Sequence, residues 1–261
     1  MQAEVLSVGT ELLLGQTVNT DTTIVAKALS ALGIDLLYAA VVGDNVGRLE
    51  KAVYDALDRS DILITTGGLG PTGDDLTKET VAAAAGKKLV LHEQSYQHLL
   101  DYFANGGMTE NQMKQAMLPE GCTALKNDNG TAPGCAFRTD KGKIVIMLPG
   151  PPSELTPMLH NYAVPYLEKF QSAVIASHSV HVYGRGEAPV AQMIEDLMEQ
   201  SNPDRGAVCQ GRRDVRARDG EGRNERRSGR DVRAGGGRIE EAHRQLRVRC
   251  GRGDAGGACG Q

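Results

Sequence analysis

Within residues 1–66, β-leaning apolar runs alternate with amphipathic helical patterns across short connections, and this alternation restricts the fold more than any other feature of the chain. AEVLSVG, residues 3–9, reads as a first strand. Residues 20–33 read as a helix, with Thr20 or Asp21 as cap, Ile24, Val25, Ala28, Leu29 and Leu32 on one face, and Gly33 as stop. A second strand is expected over 34–43 and a second helix over 47–59. DILIT, residues 61–65, is a third strand, and its unbroken apolar run suits the interior of a sheet. Strands joined through helices run parallel, with helices on both faces, and their ligands sit beyond the carboxyl ends of the strands. The expected fold is therefore α/β, a three-layer α/β/α domain on a mostly parallel sheet, with the loops after Val8, Val42 and Thr65 on one rim.

The third strand delivers the chain into TTGGLGPTGDDLTKE, residues 65–79. A strand, a glycine loop and a helix start, in that order, leave backbone N–H groups unpaired and place the positive end of the helix dipole behind them. That predicts an anion site. The same residues have a plainer reading, because TGDD fits a capping box and acids in a first turn favour the helix by about 0.3–1 kcal/mol. The two readings are compatible.

Further on, residues 92–104 and 109–117 carry helical spacing, and residues 122–148 read as a β excursion returning to the strong strand KIVIML. LPGPPSEL follows, where Pro151 or Pro152 suits the first turn of a helix running to about Phe170. The first domain is expected over residues 1–171. A second, smaller α+β unit is expected from 172, with SHSVHVYG as strand and EAPVAQMIEDLMEQ as helix, and its pattern fails at Pro203.

Charge and composition change at the same point. Up to Pro203 there are 14 Lys and Arg against 24 Asp and Glu; from Asp204 to Gln261 there are 15 against 9, every one of the 15 an Arg, with 13 Gly in 58 residues. Such a tail buries too little apolar surface to offset its ordering entropy, so residues 204–261 are expected to be disordered. One account makes it an RNA-binding arm. The preferred one is a frameshift after Pro203: codons compatible with Asp204–Arg223 can spell, one base later, a peptide containing MYVRVTA, which alternates as a strand does. No apolar run reaches 18 residues and no secretory leader is visible, so the expected location is cytoplasmic, without membrane association and with nucleic acid not a partner of the body of the chain. The cysteines lack CxxC spacing and read as free thiols. The histidines lack metal-ligand spacing and read as surface or packing residues.

SVGTELLLGQTVNTDT, TTGGLGPTGDDLTKE and MLPGPPSEL, in that order, resemble the CinA family (competence/damage-inducible protein A), specifically its MoaB/Mog-like molybdopterin-binding domain, and residues 172–203 resemble the start of that family's KH-like second domain. The family's nicotinamide-mononucleotide deamidase domain has no matching motif here, so deamidase activity is not expected of this chain. The resemblance implies a metal-dependent ADP-ribose pyrophosphatase activity, kinship with enzymes that bind or adenylylate molybdopterin, and association of copies into a homo-oligomer. It places the ligand-binding glycine loop on Thr66, Gly67, Gly68, Gly70, Pro71 and Thr72, and the acidic pair on Asp74 and Asp75. Its first motif falls on Thr10, Glu11, Asn19 and Thr20, its proline-rich turn on Pro149, Gly150, Pro151 and Glu154, and a Mog-type aspartate on Asp44. Gly73 stands where relatives vary.

Two carboxylates beside a phosphate nest would repel the ligand unless a divalent cation lay between them. This argues for Mg²⁺ or a similar hard metal held by Asp74 and Asp75, with Asp75, Asp44 and Glu11 as the expected catalytic group. The metal would neutralise a diphosphate and position water, as hydrolysis of a phosphoanhydride requires. The expected ligand is a small nucleotide such as ADP-ribose; the alternative is a pterin nucleotide bound without turnover. For Asn19 and for LPGPP, ligand contact and plain turn chemistry remain equally open.

Overall fold

The computed structural model describes residues 1–104, 106–170, 187–193 and 195. The chain divides after Ser177 into two units. In the first, β1 (Gln2–Val8) leads through a helical turn, α1 (Thr10–Leu13), to α2 (Asp21–Ala31), β2 (Asp35–Val42), α3 (Val46–Arg59), β3 (Ile62–Thr66) and α4 (Thr77–Ala84). Then come β4 (Leu89–Leu91), α5 (Glu93–Tyr102), α6 (Glu110–Met113), a 3-10 turn (Lys114–Ala116), β5 (Met117–Pro119), β6 (Thr123–Leu125), β7 (Gly134–Arg138) and β8 (Ile144–Leu148). The unit closes with α7 (Pro152–Met158), which passes through a π turn (Leu159–Ala163) into α8 (Val164–Glu168). Pro165 supplies no N–H for the carbonyl of Asn161, and the wider turn falls where that bond is missing.

The main sheet has the order β2-β1-β3-β8-β7-β6. β2, β1, β3 and β8 are parallel, while β7 pairs antiparallel with both β8 and β6. Alternation along β3 explains the layers: Ile62 and Ile64 pack with Val25, Leu29, Leu155 and Leu159 on one face, and Leu63 packs with Leu49, Val53 and Val81 on the other. Each fully buried Leu or Ile of this kind stabilises the fold by about 1.5–3 kcal/mol. The expected three-layer, mostly parallel α/β fold is thus present. The small β4–β5 sheet, with Leu89 opposite Pro119, was not expected, since three-residue strands are too short to show a period.

At the amino end of the sheet Glu4 is fully buried and meets Arg59 through two hydrogen bonds, of 2.6 and 2.8 Å, while the guanidinium lies 4.2 Å from the Tyr38 ring centre. Two N–H groups in one plane match the carboxylate and hold β1 to the end of α3. Cys122 and Cys135 are free thiols; the other cysteines lie outside the described residues. No described helix is long and apolar enough to cross a membrane. In the second unit the helix expected over 187–200 is described as α9 (Glu187–Met193). The strand expected before it, the tail and the frameshift reading lie outside the described residues.

From β1 the chain goes to β2 on one side and then across to β3 on the other. Beyond the carboxyl ends of β1 and β3, where these connections part, an α/β sheet leaves a crevice.

Candidate functional site

A cleft of about 700 Å³ opens at that crevice. It gathers the loops after β1, β2, β3 and β8, as the strand order requires, together with residues 129–132 from the β6–β7 connection. Every residue expected in the site lines it except Thr10 and Thr72.

Those two act through their neighbours. Thr10 N–H donates to Asp44 Oδ2 (2.8 Å) and Asp44 N–H donates to Thr10 Oγ1 (3.0 Å), a reciprocal pair that ties the loop after β1 to the loop after β2. Thr72 N–H donates to Asp75 Oδ2 (2.9 Å), its hydroxyl donates to the same oxygen, and Asp75 N–H returns to the Thr72 carbonyl (3.2 Å). Of the capping box read in TGDD only one half is present, the Asp75 carboxylate accepting the Thr72 N–H, and it stands outside a helix start. It closes a free-standing turn, and α4 begins only at Thr77, behind an N-cap, Leu76, that makes no side-chain cap bond. The Thr77 N–H is taken by the Gly68 carbonyl (3.2 Å), so the start of α4 abuts the glycine loop and spends one of its free N–H groups on it.

Gly67 and Gly68 have φ of +91° and +68°, where L side chains are strained. A Cβ on Gly67 would run into the Val8 carbonyl oxygen, and one on Gly68 into the Thr77 side chain. Gly67 N–H donates to the Leu148 carbonyl (3.0 Å), and Gly150 lies against Gly67 from the far side. Bare backbone from three strand ends thus meets at the cleft floor.

Asn19 is committed locally: Nδ2 donates to Ser7 Oγ (3.0 Å) and Thr22 Oγ1 (3.1 Å), and Oδ1 accepts from Thr22 N–H (3.2 Å). It caps α2, which Thr20 does not. Glu154 is held by the buried Asn127, whose Nδ2 donates to Glu154 Oε2 (2.6 Å) and to the Ala132 carbonyl (2.9 Å). Asn129 Nδ2 donates to the Ser153 carbonyl (2.7 Å), completing a strap between the β6–β7 connection and the start of α7. Reading the sequence missed this strap; the turn-forming cluster NDNG at 127–130 was its only local mark.

Asp21 was also missed, being read only as a helix cap. It lines the cleft at 8% exposure, and burial pushes its carboxyl above the usual range, more than a hydrogen bond from Thr66 pulls it down. Asp74 is shifted the opposite way: the polar Thr72 side chain beside it, with its own backbone N–H, holds its carboxyl below the usual range.

Six carboxylates line the cleft, from Glu11, Asp21, Asp44, Asp74, Asp75 and Glu154, and among the described residues no Lys, Arg or His does. Among the described residues, no three His, Cys, Asp or Glu side chains converge as a preformed metal cage. The all-oxygen donor set suits a hard cation of the Mg²⁺ kind, which takes one or two carboxylates and completes its shell with phosphate oxygens and water. Thr72 engages only Oδ2 of Asp75.

Residues 4–169 match a family model described as a probable molybdopterin binding domain. The chain is 55% identical over 203 residues to a CinA-like protein of Desulfovibrio desulfuricans, covering 78% of this chain and 48% of that one. It is 50% identical over 206 residues to a CinA-like protein of Kosmotoga olearia, covering 78% and 50%. It thus spans about half the length of these relatives. A crystal structure of the protein CinA from Thermoplasma acidophilum superposes with a TM-score of 0.59 at 34% identity, covering 62% of this chain and 95% of that one.

Proposed function

Because the chain belongs to the CinA family, through a MoaB/Mog-like domain of the molybdopterin-binding type, we propose that its cleft binds a nucleotide diphosphate such as ADP-ribose and hydrolyses the phosphoanhydride. The observation that carries this reading is the bare glycine loop facing an acidic pair in a cleft that, among the described residues, no cationic side chain lines. Loop N–H groups suit phosphate oxygens. Six carboxylates do not, so an anionic ligand needs a cation to accompany it.

In this proposal Asp74 and Asp75 hold the cation, whose contribution when bound is to neutralise diphosphate charge and to polarise water. Gly67, Gly68 and Gly70 approach the phosphates with backbone alone, which side chains would prevent. Pro71 and Thr72 set the turn that aims Asp75. Asp44, oriented by Thr10, and Glu11, folded over Gly9, line the same cleft and accept the proton of the attacking water. Water adds to one phosphorus, the bridging P–O bond breaks, and AMP and ribose 5-phosphate leave. Purified protein incubated with ADP-ribose and Mg²⁺ or Co²⁺ is expected to release AMP, resolved by chromatography.

A second reading is a module that binds a pterin nucleotide without turnover. The local engagement of Asp44 and Asp75 by Thr10 and Thr72 favours it. Absence of AMP together with tight pterin binding replaces the first reading with this one.

A further inference from the structure

Three features beside the cleft have no part in handling phosphate. Gln115, in the 3-10 turn before β5, is 1% exposed and lines the cleft, yet its side-chain Oε1 is buried without a hydrogen-bond partner among the described residues. Lys78 on α4 is buried, and its Nζ donates to the carbonyls of Lys114 (2.6 Å) and Gln115 (3.3 Å). Tyr102, the last residue of α5, lines the same cleft while 61% exposed, its ring edge-on to Phe103 at 5.0 Å between centres.

Each is costly or unusual alone. A buried amide oxygen without a donor destabilises the fold, and natural chains rarely keep one. A buried ammonium is tolerated only where acceptors surround it. Here the acceptors are the backbone carbonyls of the turn that carries Gln115, so Lys78 fixes the peptide behind the unpaired amide. An acceptor oxygen cannot hold phosphate; it needs an N–H or O–H from the ligand. A carboxamide offers a donor and an acceptor side by side in one plane, and a half-turn about its last bond exchanges them. Its complement is a ring edge that presents the same pair, such as the amino group and ring nitrogen of adenine or the amide edge of a pterin. An exposed aromatic side chain on the same cleft is a surface on which the ring can stack.

We infer that Gln115, fixed by Lys78 and sharing the cleft with Tyr102, reads the ring of the ligand, a flat nitrogen heterocycle presenting adjacent donor and acceptor groups. This rests on the cleft being the nucleotide or pterin site proposed above, but not on hydrolysis.

The test is binding, measured by calorimetry with Mg²⁺ present, of AMP, of 2-amino-4-oxopteridine and of ribose 5-phosphate, which has no ring base. Wild-type protein should bind one ring-bearing ligand more tightly than ribose 5-phosphate. Gln115→Met keeps the volume and removes the amide; it should weaken that ligand roughly tenfold to a hundredfold, the range of a bidentate ring contact, and leave ribose 5-phosphate unchanged. It should melt no lower than wild type, because a merely structural amide would be missed. Tyr102→Ala, at an exposed position, should give a smaller loss in the same direction. Which ring-bearing ligand responds assigns adenine or pterin. Selective loss in a protein that releases no AMP from ADP-ribose upholds the inference and removes the hydrolase reading. Equal binding of all three ligands, or a parallel loss of ring-bearing ligand and ribose 5-phosphate in Gln115→Met, overturns it.

Discussion

Replacing Gly67 by alanine tests whether the cleft floor is as tightly constrained as its geometry indicates. The residue has φ +91°, and a Cβ would meet the carbonyl oxygen of Val8, which is backbone at the end of a central strand and cannot swing aside. Left-handed backbone costs an L residue about 1–2 kcal/mol, and forcing an extra carbon into packed surroundings costs about 1–3 kcal/mol more. The expected loss is about 2–5 kcal/mol, a large share of the roughly 5–15 kcal/mol that holds a typical fold together. For a unit of this size each kcal/mol lowers Tm by about 2–4 °C. Urea unfolding followed by circular dichroism should show the midpoint falling with little change in slope. Gly73→Ala is the control: nothing lies within 4 Å of a Cβ there and its backbone is outside the left-handed region, so it should match wild type or exceed it slightly. If Gly67→Ala unfolds within about 0.5 kcal/mol of wild type, the end of β1 yields easily and the argument from close approach is wrong.

Asp21 offers a pH test. Burial places its folded-state pKa above the ordinary value of 3.8, so its contribution to stability is complete below that value and is lost as pH rises through the folded pKa. Asp21→Asn should therefore unfold later than wild type at pH 7 and together with it near pH 3; a constant difference across that range refutes the assignment. Asp75→Asn should cut AMP release at least roughly a hundredfold while leaving the melting temperature close to wild type, and surviving release would place the cation elsewhere. Glu4→Gln should cost about 1–3 kcal/mol, less than a fully buried pair would, since Arg59 is 43% exposed. Ligand affinity should not change, because the pair sits at the far end of the sheet; a drop in affinity at full occupancy of the fold would contradict this.

The sheet was legible because its signals are local. Val5, Ile62 and Ile64 repeat with the strand period, and Val25, Ala28 and Leu29 repeat with the helical one, so neither needed a partner to be recognised. The gathering of Glu11, Asp44 and Gly67 on one rim followed from strand direction. What escaped reading depends on pairs far apart in sequence. Asp21 reads as a cap until β3 brings Thr66 beside it. Asn127 finds its partner only when α7 delivers Glu154, and Lys78 only when the carbonyls of Lys114 and Gln115 close over it. TGDD read as a cap of α4 because Thr72 and Asp75, which bond one another within the turn, have the spacing of a capping box.

β3 lies between β1 and β8, and Ile62 pairs with Ile144. A strand enclosed on both sides in the finished sheet is therefore an edge while the chain is being made. The 82 residues from Ile62 to Ile144 take roughly 4–16 s to synthesise at ordinary ribosome speeds. Throughout that interval ILITT, buried along its whole length in the folded protein, shows one unpaired, strongly apolar side to other nascent chains. The same central position that rigidifies the cleft floor makes this strand the point at which a slowed ribosome would expose the protein to mispairing.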